Sequence, residues 1–168
     1  MWKNLKLNLF LISVAVLFPF PSIAQNELSV AEQRGLKQIP GSDLLPAYEN
    51  KTLEGIYNSY EADIRAGIEP EYYTEIHFDN ATTDYDHRGR QDFRLRGIYQ
   101  ITKDQICYTY SSEQFWNGTY CFYVFMKDGC YYHYYVPSGF PETDAEFDNW
   151  TSMAYAREDA QTCLPDIA

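Results

Sequence analysis

The sequence predicts an exported α+β domain: mainly an antiparallel meander sheet of about six strands, curled into an open barrel, with short N-terminal helices and a C-terminal helix. Three observations carry that expectation. The first 24 residues read as an export signal, with Lys3 and Lys6 as its charged start, an apolar run from Leu7 to Phe20, and a small-x-small cleavage site at Ser22-Ile23-Ala24. From Leu53 onward the hydrophobic period changes to two. Turn dipeptides then punctuate the chain at short intervals.

Removing 24 of the 168 residues leaves 144, enough for one domain over 25–168 and too few for two. The apolar run of the signal is too short and interrupted to stay as an anchor, and nothing after it could span a bilayer. An uncleaved N-terminal anchor is the rival reading. The expected location is periplasmic or secreted. Lys3 and Lys6 leave with the signal and no acid does, so the formal charge moves from −11 to −13. Such a surface repels nucleic acid and attracts a basic protein, a cationic peptide or a metal ion. The plain alternative is that the charge serves solubility alone. All sixteen tyrosines follow the signal, and most lie between Tyr72 and Tyr135. Tyrosine suits a half-buried pleated surface, and it is also a residue of binding surfaces.

Along the chain, Gln25 to about Gln38 is weakly helical, and Ile39-Pro40-Gly41 ends it. Ser42-Asp43 offers N-cap chemistry for a short helix over Leu44 to Asn50, with Pro46 in its first turn. Leu53 to Tyr60 reads as a strand. Glu71 to Phe78 is a second, with Tyr72, Thr74, Ile76 and Phe78 on one face and Glu71, Tyr73, Glu75 and His77 on the other. Asp79 to Arg90 is polar and turn-rich. Phe93 to Ile101 alternates again, with Phe93, Leu95, Tyr99 and Ile101 opposite Arg94, Arg96 and Gln100. Lys103-Asp104, Asn117-Gly118 and Lys127-Asp128-Gly129 are the turns that make Phe93 to Val136 a four-strand antiparallel meander. Pro137 to Pro141 breaks the sheet. Phe147, Trp150, Met153 and Ala154 then fall at helical spacing within Glu142 to Arg157, with a loop carrying aromatic anchors as the alternative.

Cys107, Cys121, Cys130 and Cys163 form an even set in an exported chain, so two disulfides are expected. Three pairings are open. Cys107–Cys121 with Cys130–Cys163 is favoured, because the first staples neighbouring meander strands and the second ties the tail to the last hairpin. No C-x-x-C is present, which speaks against zinc on the thiols and against a redox-active pair.

Three clusters invite chemistry. Glu75, His77 and Asp79 alternate along one strand and could converge on a cation, although an exposed polar face predicts the same pattern. Arg88, Arg90, Arg94 and Arg96 concentrate four cations within nine residues. Arginine forks bind carboxylates and phosphates, so an anionic ligand could sit there, or the arginines pair with Glu71, Glu75 and Asp79 on the adjacent strand. Tyr131, His133 and Tyr135 share a strand face that could grip a sugar or peptide, or could be sheet packing. No G-x-S-x-G, H-E-x-x-H or phosphate loop is present, so no catalytic residue and no cofactor is implied. Asn50, Asn80, Asn117 and Asn149 begin N-x-S/T sequons.

The stretch Leu44-Leu45-Pro46-Ala47-Tyr48-Glu49-Asn50-Lys51-Thr52-Leu53-Glu54-Gly55, the strand Gly97-Ile98-Tyr99-Gln100-Ile101 and the pair Ile106-Cys107-Tyr108 and Tyr120-Cys121-Phe122-Tyr123-Val124 together define a pattern over about residues 42 to 126. It resembles small exported β-rich proteins of unknown function from alphaproteobacteria. The resemblance implies a periplasmic location, a helix on an antiparallel sheet and the Cys107–Cys121 pair. Members carry a D-G turn before the G-x-W strand, where this chain has Asp84-Tyr85-Asp86-His87-Arg88-Gly89. The family brings no catalytic residues. The functional expectation is a non-catalytic binding or envelope-maintenance protein with a basic protein or a small ligand as partner. The alternatives are an inhibitor of a basic secreted hydrolase such as lysozyme, and an envelope glycan hydrolase working through paired carboxylates.

Overall fold

The period-two segments pair in chain order until the last strand meets the first. The computed structural model describes residues 35–112, 118–136, 150–159 and 163. Its strands are β1 (Lys37–Gln38), β2 (Thr52–Tyr57), β3 (Tyr72–His77), β4 (Thr82–Arg88), β5 (Phe93–Thr102), β6 (Gln105–Tyr110), β7 (Gly118–Lys127), β8 (Cys130–Val136) and β9 (Ser152–Ala156). Two short helices, α1 (Gly41–Tyr48) and α2 (Tyr60–Arg65), and a 3-10 turn (Arg157–Asp159) complete the described elements. Strands β2 to β9 run antiparallel to their chain neighbours, and β2 pairs with β9. The result is a closed up-and-down barrel of eight strands. β1 is a ninth strand, added to β7 beyond the end of β6.

Several expectations hold and several change. The molecule is mostly antiparallel β with few helices, and the four-strand meander is β5 to β8. The barrel is closed rather than open and has eight strands rather than about six. β4 occupies part of the stretch read as turns, because Thr83, Tyr85 and His87 point inward between outward Thr82, Asp84 and Asp86. The C-terminal helix is corrected over its described part: residues 152–156 are β9, with Ser152, Ala154 and Ala156 inward. Lys37 and Gln38 are likewise strand rather than helix, since they pair with Met126 and Phe125. The signal, residues 25–34, Asn117 and the Pro137–Pro141 break lie outside the described residues.

Turn chemistry sets the register. Asp128 (φ 51°) and Gly129 (φ 79°) form a two-residue hairpin between the paired residues Lys127 and Cys130, the left-handed geometry that such loops need. Both favoured disulfides are present, Cys107–Cys121 across β6 and β7, and Cys130–Cys163 from the start of β8. Outside the barrel wall, Leu36 covers Phe125 and Tyr134, while Ile56, Tyr60, Met153 and the Cys130–Cys163 pair form another cluster. The outward positions of β4 and β5 carry Asp84, Asp86, Arg88, Arg94 and Arg96, so this wall faces water.

α1 closes one end of the barrel. Pro40 precedes it, and the Asp104 carboxylate of the β5–β6 turn accepts from the Gly41 amide at 2.9 Å, satisfying a donor that a helix start leaves open. A side chain at Gly41 would collide with the Lys103 carbonyl, so this approach needs glycine. Leu44 and Tyr48, both 0% exposed, enter the barrel beside Leu53, Tyr99, Ile106, Val124 and Ala156. No helix among the described residues is long and apolar enough to cross a membrane.

Candidate binding cavity

The interior above this plug is unlike an aliphatic core. Alternation puts Tyr57 of β2, Tyr73 and Glu75 of β3, Tyr85 of β4, Tyr108 and Tyr110 of β6, Tyr120 and Phe122 of β7, and His133 and Tyr135 of β8 around one cavity of about 290 Å³. Thr151 and Ser152 complete the lining. Backbone glycines make room for these rings. The Tyr73 ring lies directly over Gly55, and a Cβ on Gly97 would sit 2.7 Å from the Tyr110 ring, so both positions must lack one.

A polar layer separates cavity and plug. Tyr48 Oη lies 2.7 Å from His133 Nε2, and His133 Nδ1 lies 3.2 Å from Ser152 Oγ, which accepts from the Tyr73 hydroxyl at 3.2 Å. His77 Nε2 and the Tyr108 hydroxyl are 2.9 Å apart. Burial holds His133 down at about 4 and His77 at about 3, so both rings are neutral at physiological pH. Among the described residues that line the cavity, the Ser152–His133 contact is the nearest approach to a nucleophile–base couple. A histidine held near 4 is a weak base, and its other nitrogen meets the Tyr48 phenol rather than an orienting carboxylate.

Glu75 is the one carboxyl among the described residues that line the cavity. It is 5% exposed. Its Oε1 accepts from the Tyr110 hydroxyl and, at 3.0 Å, from the Thr83 hydroxyl. Burial pushes the carboxyl up to about 7, and those two hydrogen bonds limit the rise. Burial also raises the phenols of Tyr57, Tyr73, Tyr85, Tyr108 and Tyr110, which therefore stay neutral.

The residues singled out in the sequence fall in three places. Glu75 and His77 point into the barrel, contrary to the exposed polar face that alternation suggested, while Asp79 lies beyond the end of β3. Among the described residues no three His, Cys, Asp or Glu side chains converge to hold a metal ion. His133 and Tyr135 line the cavity, but Tyr131 of the same face packs at the plugged end, its ring 5.6 Å from Tyr48. The arginines sit on the outer wall. Arg88 and Arg94 both meet Asp86, at 2.9 and 3.1 Å, and Arg96 meets Asp84 at 2.9 Å. Arg90 stands apart and pairs with Glu71 at 2.9 Å. The cross-strand ladder therefore uses the acids of β4, with Glu71 serving Arg90, and Glu75 and Asp79 take no part.

Sequence reasoning named none of Tyr57, Tyr73, Tyr85, Tyr108, Tyr110 or Ser152 as site residues. Their available signal was the excess of tyrosine on alternating positions. The cavity lies inside the closed sheet.

Fold and site together define a closed eight-stranded up-and-down barrel with a ligand-sized, tyrosine-walled interior, a geometry in which eight strands leave space for side chains or one small ligand. No family model matches the chain, and neither a curated protein nor a solved structure matches it.

Proposed function

We propose that this protein is a non-catalytic binding protein of the cell envelope or exterior that holds one small, ring-sized ligand inside its barrel. The observation that carries the reading is the cavity itself. Its wall is mostly aromatic, the hydroxyls of Tyr57, Tyr73, Tyr85, Tyr108 and Tyr110 are hydrogen-bonded to neighbouring side chains, and α1 seals its far end. Two disulfides fit an oxidising compartment, in line with the export signal. A glycan hydrolase is less well supported, because that chemistry needs two carboxyls across the scissile bond and Glu75 is alone among the described lining residues. The inhibitor reading rests on net charge.

Titration of the disulfide-bonded protein with one-ring compounds, followed by NMR of the tyrosine ring resonances, tests the proposal. Shifts should concentrate at Tyr73, Tyr85, Tyr108 and Tyr110. Tyr120→Trp with Tyr135→Trp narrows the half-buried side of the wall and should weaken binding. Binding that ignores both substitutions, or shifts confined to the outer wall, would remove the barrel from consideration. Inhibition of a basic muramidase at stoichiometric ratio, lost at high salt, would instead favour the inhibitor.

A further inference from the structure

The cavity holds a buried carboxyl with nothing positive beside it. No lysine or arginine is among its described lining residues, and the lining histidine, His133, has its two ring nitrogens on Tyr48 and Ser152. The Tyr110 and Thr83 hydrogen bonds to Glu75 both fall on Oε1, which leaves Oε2 for an occupant. The lining is rich in tyrosine rings, and aromatic π systems attract cations, most strongly where water is excluded. Tyr73 and Tyr85 stack with centroids 5.8 Å apart, and Tyr108 and Tyr110 at 6.1 Å, so two aromatic pairs share the cavity lining with Glu75. At roughly 30 Å³ per water-sized group, the space takes about ten heavy atoms.

We propose that the occupant is a small organic cation, an alkyl- or arylalkylammonium, whose charge meets Glu75 Oε2 and whose carbon skeleton lies against Tyr57, Tyr73, Tyr85, Tyr108 and Tyr110. The inference rests on the barrel-binding reading and deepens it by giving the ligand its charge. A buried carboxylate has no cationic side chain among the described lining residues to compensate it, and an ammonium supplies that charge. The formal charge of −11 draws cations toward the molecule before they enter.

The coupling to protons has a definite sign. The titratable groups facing Glu75 are Tyr57, Tyr73, His77, Tyr85, Tyr108, Tyr110 and His133, with Tyr48 behind them. His77 and His133 are neutral above about 4 and these phenols are raised by burial, so of these groups Glu75 is the one that changes charge between pH 6 and 8, while His87, inward on β4, meets the Tyr57, Tyr85 and Phe93 rings and the Gln91 carbonyl. A cation favours its ionised form, and affinity for a cation rises with pH across that range. A neutral ligand accepting a proton from the acid form would show the reverse.

Calorimetric titration with two matched pairs decides the matter: 2-phenylethylammonium against 2-phenylethanol, and choline against 3,3-dimethyl-1-butanol. At pH 8 each cation should bind at least about tenfold tighter than its neutral partner, and the preference should fall about threefold or more at pH 6. Glu75→Gln keeps the acceptor for Tyr110 and Thr83, and it should abolish the preference while leaving the alcohols within about threefold. If that variant does not fold, the pH dependence of the unsubstituted protein decides alone. Alcohols that bind as well as the cations, or a preference that survives Glu75→Gln, overturn the cation and leave the barrel reading intact. If none of the four compounds binds, both readings fall.

Discussion

Glu75 concentrates the physical tension of this molecule in one side chain. An isolated buried carboxyl prefers its neutral form, and here burial outweighs the Tyr110 and Thr83 hydrogen bonds, which leaves it near 7 against an ordinary 4.5. The folded state therefore binds a proton that the unfolded chain releases. That contribution to stability is present below about 4.5 and is lost as pH rises to about 7. His77 and His133 act oppositely. They are neutral in the fold, their contribution is present above 6.5, and it is lost as pH falls toward about 3 and about 4 respectively. Glu75→Gln removes the first effect alone. Relative to the unsubstituted protein it should gain about 2 to 3 kcal/mol between pH 5 and pH 8, read from urea denaturation at both pH values. An unchanged difference would mean that Glu75 ionises as freely as an exposed carboxyl. The alternation on this strand was legible in the sequence, but its polarity was not. Tyr72 and Ile76 face out and Glu75 and His77 face in, where Tyr108 and Tyr110, three strands away, meet His77 Nε2 and Glu75 Oε1. A pairwise pattern along one strand carries no information about those partners.

At the scale of elements, the clear signals were those with turn chemistry at both ends. β5 to β8 and the Asp128-Gly129 hairpin followed from period two and from residues that tolerate positive φ. β4 was hidden because Asp84, Asp86, His87 and Arg88 read as loop composition, although Thr83, Tyr85 and His87 keep a strand period. β9 was hidden by Phe147, Trp150, Met153 and Ala154, whose spacing also fits a helix. Closure with β2 selects the strand instead. α2, six residues long, is too short to leave a period. The outer ladder gives a second expectation. The Arg94 and Arg96 side chains are 77% and 82% exposed, so their ion pairs with Asp86 and Asp84 are solvated and weak. Arg94→Ala with Arg96→Ala should leave the denaturation midpoint nearly unchanged, and a large drop would mean that these residues hold the β4–β5 pairing together. The disulfides give a third. Cys107–Cys121 closes 14 residues and Cys130–Cys163 closes 33. Chain entropy then assigns them about 3 and about 4 kcal/mol. Paired Cys→Ser replacement should cost more at Cys130–Cys163 than at Cys107–Cys121, by the same urea measurement, and a reversed order would contradict the loop-length dependence.

At the scale of the whole molecule, the charged ladder of β4 and β5 lies outside and a tyrosine-walled cavity inside. The sequence showed both the net charge and the tyrosine excess, but it could not say that the sheet closes. Closure depends on the β2–β9 pairing across about a hundred residues, Leu53 with Ala156 among them. Once closed, alternation fills the interior with rings, and the acids and arginines of β4 and β5 are left to the solvent face. The same arrangement separates two ways of meeting a cation. The exterior acids attract it over a Debye length of about 10 Å at 0.1 M salt, so added salt should weaken non-specific association with basic proteins strongly. A cation inside the barrel, desolvated beside Glu75, should respond much less. The most direct test is a structure determined with 2-phenylethylammonium bound. Its ring should lie among Tyr73, Tyr85, Tyr108 and Tyr110, with the ammonium about 2.8 Å from Glu75 Oε2. An amine found only on the outer wall, beside Asp84 and Asp86, with the barrel interior unchanged, would contradict the assignment of the barrel as a cation site.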